Sequence, residues 1–208
     1  MSKSTYGKDV KWMKTRTPAE MELHREAFEF ESRYFPDLCL NSPRVIKNLL
    51  QFEVKDRDGT WITGHDAVHI GIDGWIVRYR QFPENTLGQC NWKTKTIAVQ
   101  AGLEEPDRTA TLLHEMIHAY EYQLSQVIRE WLLLDLYKRL SKRILPAKLD
   151  WYLKTGSHVM VSVSQHSLLF LLKSLDIDLQ RKWEPGTCFG YGRPDMLNAK
   201  RKTKTPTE

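Results

Sequence analysis

His114, Glu115 and His118 stand in the run His114-Glu115-Met116-Ile117-His118. Four residues turn an α-helix through about 400°, so on a helix the two imidazoles leave one face a single turn apart and can grip one ion. Neutral imidazole suits zinc, and zinc with an open coordination position lowers the pKa of a bound water to about 7. Glu115, beside the ligands, can take the proton from that water. This is the chemistry of peptide hydrolysis. Leu112, Leu113, Met116 and Ile117 make the same helix apolar, so two histidines without a shared ion would be polar groups on a buried face.

A catalytic zinc needs a third protein ligand, supplied in such sites by a second helix or a later turn. Downstream stand Glu121, Glu130, Asp135, His158 and His166. Glu121, three residues past His118, points along the helix rather than across the ion and reads as a solvated carboxylate. Glu130 lies in a partly exposed turn, Ile128-Arg129-Glu130-Trp131. His166 opens the apolar run His166-Ser167-Leu168-Leu169-Phe170, where an unpaired imidazole is costly. It is the chosen third ligand, with His158 and Glu130 as the alternatives. His24, His65 and His69 read as surface or structural, and Tyr120 and Tyr122 flank the motif without the helix phase deciding which faces an ion.

These residues need a scaffold. Thr17-Pro18-Ala19-Glu20 carries an N-cap, a first-turn proline and a capping-box glutamate, which predicts a helix from Thr17 to about Tyr34. Ser42-Pro43 predicts a short helix to Leu50. Thr60–Ile62, Ala67–Ile70, Trp75–Tyr79 and Thr96–Val99 are short, β-branched or aromatic and separated by turn residues, which predicts a small sheet of antiparallel hairpins. From Glu105-Pro106-Asp107 to at least Ser125 nothing breaks a helix, which puts His114 and His118 inside one. A second helix runs from Gln126 to Leu145 and stops at Pro146. A turn then leads to Gly156, Val159, Val161 and Val163 alternate like a strand, and His166–Leu175 forms a buried, nearly apolar helix. Trp183–Gly192 is rich in glycine and aromatics, and Ala199–Glu208 has no apolar face and reads as a disordered tail.

The 208 residues are 41% hydrophobic and 27% charged, enough chain and enough apolar side chain for one large globular domain. No apolar stretch approaches the roughly 20 residues that cross a bilayer, so no membrane is expected as partner. The amino end has lysines without an apolar segment behind them, so the expected location is the cytoplasm, with nucleoid or nuclear association as its variant. Cys39, Cys90 and Cys188 never form a CxxC pair and read as free thiols. A net charge of +5 is compatible with nucleic-acid contact and equally with ordinary solubilising charge.

Four segments, in order, resemble the SprT-like metalloproteases, the group that includes the Spartan-type DNA-protein crosslink proteases. They are Phe30-Glu31-Ser32-Arg33-Tyr34-Phe35-Pro36, then Thr86-Leu87-Gly88-Gln89-Cys90-Asn91-Trp92 with Lys95–Val99, then Leu112–Tyr120, and last His166–Phe170 running on to Ile177. The active-site helix is the specific part of the likeness. The resemblance implies an α+β, zincin-like fold with a small sheet packed on the active-site helix. It implies Zn2+ held by His114, His118 and His166, with Glu115 as general base and later proton donor. It also implies an edge strand at Ile97–Val99 that pairs with an extended substrate.

The expected organisation is an N-terminal extension over 1–16, a protease domain over 17–182 with a helical insertion at about 121–157, and a Gly/aromatic segment with a basic tail over 183–208. The expected function is zinc-dependent endopeptidase activity on a protein or peptide substrate, extending to proteins held at DNA. The basic residues Lys200 to Lys204 would then touch single-stranded or double-stranded DNA. The alternatives are a peptidase with one dedicated substrate and no need of DNA, and a non-catalytic binding protein clamped by zinc.

Overall fold

A computed structural model describes residues 16–35, 54–55, 61–62, 71–72, 74–124, 126–162 and 166–194. The helix expected over Pro43–Leu50, the strand over Ala67–Ile70, His65, His69 and the tail over 199–208 lie outside them. The described residues form an α+β fold of five helices, a three-stranded mixed sheet and a two-stranded ribbon. The helices are α1 (Pro18–Tyr34), α2 (Asp107–Gln123), α3 (Gln126–Leu140), α4 (Pro146–Ser162) and α5 (Leu168–Arg181). The strands are β1 (Val54–Lys55), β2 (Trp61–Ile62), β3 (Ile76–Arg80), β4 (Gly88–Asn91) and β5 (Thr96–Gln100). Among the described residues no helix is long and apolar enough to cross a membrane.

The start of α1 follows its sequence signature. The Glu20 amide donates to Thr17 Oγ1, and the Thr17 amide donates back to the Glu20 carboxylate, both at 3.2 Å. Arg108 forks onto both oxygens of Glu26 and so ties α1 to the first turn of α2. At the other end of α1, Glu31 accepts from the Ile72 amide and from the Tyr120 hydroxyl, and Phe35 stacks on Tyr120 with ring centroids 4.6 Å apart.

The three-stranded sheet is not a set of antiparallel hairpins. Its order is β3-β5-β4, with β5 antiparallel to β4 but parallel to β3. A period-two pattern identifies strands without giving their direction. The direction here follows from the turns. Asn91 accepts from the Lys93 and Thr94 amides and closes a tight β4–β5 hairpin, whereas the longer segment 81–87 carries the chain from β3 past the place of β5 to the far side. Ile97–Val99 is therefore the middle of the sheet, paired on both sides, and among the described residues β3 and β4 are its two edges. Ile97 and Val99 are buried in the core that the sheet shares with Leu112, Leu113, Met116 and Ile117 of α2.

The segment after α2 also departs from expectation. Pro146 does not stop a helix but begins one, because the first turn of a helix needs no N–H from its first residue. The turn expected around Gly156 and the strand expected at Val159–Val163 lie on α4 as far as Ser162. Gly156 sits inside that helix because a Cβ there would run into the side chain of Leu171. The lack of a side chain lets α4 close on α5. On α3, Ile128, Leu132, Leu136 and Leu140 recur every four residues and are all buried. α3 and α4 both pack on α5, which is buried from Leu169 to Asp178 as expected, but less uniformly apolar. Lys173, fully buried, meets Asp176 at 3.2 Å, and Asp176 also accepts from Arg143 and Gln180. The charges are tolerable inside because they are paired.

Candidate metal centre

α2 lies between the sheet on one side and α5 on the other, and every residue from Thr109 to Glu121 is buried. His114 and His118 stand one turn apart on it with ring centroids 5.1 Å apart. His166 comes from the residue before the N-cap of α5, two positions ahead of the first helical residue rather than within the helix. Ser167, the cap, accepts from the Phe170 amide and donates to Glu121. One ring nitrogen from each of the three histidines lies within 4.8 Å of the others. His114 Nε2 and His166 Nε2 are 3.0 Å apart. Phe170 forms an apolar floor, its ring 4.5 to 4.6 Å from all three imidazoles.

The donor set fits a zinc ion. Four ligands at 2.0–2.1 Å around a tetrahedral centre lie about 3.3 Å from one another, close to the 3.0 Å between His114 Nε2 and His166 Nε2. His114 Nδ1 sits 3.2 Å from the Cys188 carbonyl and can only donate to it, which leaves Nε2 as a bare lone pair aimed at His166. Two imidazole nitrogens so placed share either a proton or a cation. Burial holds all three rings neutral. It pushes His118 down to about 3 and His166 to about 4, and His114 falls well below the usual value with the neighbouring imidazoles adding to the effect. Neutral imidazole is the form that binds metal. Among the described residues, His166 Nδ1 is buried with no hydrogen-bond partner.

Glu115 lines the same cleft, a cavity of about 610 Å³ that His118, His166, Tyr122, Phe189, Tyr191 and β4 also border. The backbone N–H of Cys90 and the hydroxyl of Tyr191 are its hydrogen-bond partners, and burial pushes its carboxyl up to about 8. β4 comes this close because Gly88 has no side chain: a Cβ there would stand 2.7 Å from Glu115 Oε1. The Gly88 that the sequence likeness picked out is thus a contact of the candidate base.

Glu121 is not the solvated carboxylate expected of it. It is buried, and it accepts from Ser167 and from the Phe170 backbone, which anchors the turn that carries His166. Its main-chain carbonyl accepts from Arg129. Glu130 is exposed and bonded to Gln126, and Asp135 pairs with Arg139 at 3.1 Å; neither lines the cleft. His158 falls on α4, with its side chain outside the described residues. His24 packs edge-on to Phe28 within α1. Of the two flanking tyrosines, Tyr120 faces α1, whereas Tyr122 lies over His118 at the mouth of the cleft.

The segment set apart in the sequence as 183–208 enters the site with its described part. Cys188 holds His114, Phe189 meets His166 at 5.2 Å, and the Tyr191 ring stacks on His114 at 3.8 Å. Burial raises the Tyr191 phenol well above its ordinary value, with Glu115 adding to the rise. Sequence reasoning passed these residues over, although the density of glycine and aromatics in Gly186-Thr187-Cys188-Phe189-Gly190-Tyr191-Gly192 is the kind of signal a shaped loop leaves.

Asp178 anchors this loop, accepting from the amides of Gly186 at 2.7 Å and Cys188 at 2.8 Å. Asp178→Ala strands those buried donors and is expected to cost about 3 kcal/mol. Thermal denaturation should show this as a melting point lower by roughly 10 °C for a chain of this size. An unchanged melting point would remove Asp178 as the anchor. The chain matches no known family model, no characterised protein and no solved structure.

Proposed function

We propose that this chain is a zinc-dependent endopeptidase of zincin-like architecture. The observation that carries the reading is the convergence of His114, His118 and His166 on one point, with Glu115 lining the same cleft. Zinc held by the three imidazoles would polarise a carbonyl and bring the pKa of a water near neutrality. Glu115 takes the proton of the attacking water on its carboxylate and returns it to the departing amide nitrogen. The Cys90 N–H steadies that carboxylate, and Phe170 keeps water from beneath the imidazoles.

The edge available to an extended substrate is β4 rather than β5. Gly88, Gln89 and Cys90 border the cleft, and among the described residues β4 has a strand neighbour on one side alone. A peptide laid along it would add a strand and bring a backbone carbonyl toward Glu115.

Casein cleavage by the purified chain, with and without a chelator and with and without single-stranded DNA, tests the reading. Cleavage that the chelator abolishes and zinc restores is the expected result. A chain that binds zinc and cleaves nothing would favour the zinc-clamped binding protein instead. The DNA side of the expectation rests on Lys200 to Lys204, outside the described residues. Cleavage that requires DNA would support action on crosslinked proteins, and cleavage indifferent to DNA would support a dedicated substrate.

A further inference from the structure

When water adds to a peptide carbonyl, the carbonyl oxygen gains a negative charge, and a donor aimed at it accelerates the step. Tyr120 is committed to Glu31 and Phe35, and Tyr122 lies nearly half exposed at the cleft mouth. Tyr191 is placed differently. Its Oη lies 3.4 Å from Glu115 Oε1, its ring rests on His114, and it lines the cleft. Its backbone takes φ +56°, a left-handed conformation uncommon for a residue with a side chain. The surrounding loop enforces that conformation: the Gly192 amide donates to the Thr187 carbonyl and the Gly190 amide to the Gly186 carbonyl, each at 2.8 Å, while Asp178 holds Gly186 and Cys188 from below. Unfavourable backbone held in place by so many bonds beside a candidate base is a sign that the side chain it aims is used.

The geometry points to Tyr191 as a catalytic residue whose hydroxyl donates to Glu115 in the resting site and to the oxyanion of the attacked peptide bond during reaction. This rests on the peptidase reading above. The water oxygen bonds to the carbonyl carbon, the π pair moves to the carbonyl oxygen, and the water proton passes to Glu115. Collapse restores the C=O bond, breaks the C–N bond and sends the proton from Glu115 to nitrogen, leaving a carboxylic acid and an amine. Tyr191 keeps its own proton throughout and acts as a hydrogen-bond donor, which a phenol is at neutral pH.

Tyr191→Phe keeps the ring on His114 and removes only the hydroxyl. The expected result is a kcat lower by about 10²-fold, the scale of a lost oxyanion donor. KM should stay within about two-fold, with zinc content and melting temperature unchanged. Independently of turnover, calorimetry should show weaker binding of a phosphinic peptide, which copies the tetrahedral geometry, and unaltered binding of a product peptide. Unchanged kcat and phosphinic affinity in Tyr191→Phe, with a wild type that cleaves, would overturn this inference and leave the peptidase reading standing. Loss of zinc or of melting temperature would likewise overturn it, by assigning the ring a structural role. A wild type that cleaves no peptide overturns both.

Discussion

Glu115→Gln should lower peptide cleavage by about 10³-fold, within the range spanned by general acid-base catalysts. Zinc should stay bound, because none of the three imidazoles is touched. Glu115 is 2% exposed, so the substitution exchanges a group whose charge is disfavoured by burial for a neutral one of the same shape. The Cys90 N–H and the Tyr191 hydroxyl can both still donate to the amide oxygen. The melting point should therefore hold or rise while activity disappears, a separation that misfolding cannot imitate. Steady-state cleavage rates and thermal melts on the same preparation check it. A Glu115→Gln chain that cleaves at the wild-type rate would remove Glu115 from the mechanism.

His166→Ala should have an effect of comparable size on a different quantity. Even partners that only orient a ligand are worth about 10- to 100-fold in metal affinity, and loss of a ligand itself should exceed that. The fold should survive, since α5 keeps its Ser167 cap and its buried face from Leu169 to Asp178. Competition with a chromophoric chelator measures the change. Wild-type affinity in this variant would show that the third ligand is another residue, and His158 would return as the candidate.

Much of the arrangement could be read from local pattern. The capping box at Thr17, the uninterrupted helix around His114 and the costliness of an imaginary unpaired His166 are properties of a few neighbouring residues, and the structure brings those three histidines together. What failed to show in the sequence depends on distant parts of the chain. The parallel pairing of β3 with β5 is decided by the path of 81–87, not by the alternation within either strand. Pro146 is as much a helix beginner as a helix stopper, and contact of α4 with α5 through Gly156 settles which. Glu121 reads as a surface carboxylate until Ser167, 46 residues later, is folded against it. Tyr191 lies 76 residues from Glu115 and reaches it only through a loop that Asp178 pins. Helix phase alone could never have chosen it over Tyr120 or Tyr122.

Zinc K-edge X-ray absorption on the chain as purified addresses the metal centre directly. Three imidazole nitrogens at about 2.0–2.1 Å and one further light-atom scatterer are the expected first shell. Among the described residues, Cys90 is the thiol that lines the same cleft and is placed to compete. A sulfur scatterer at about 2.3 Å, fewer than three imidazoles, or a chain purified without zinc that takes none up would contradict a site built from His114, His118 and His166.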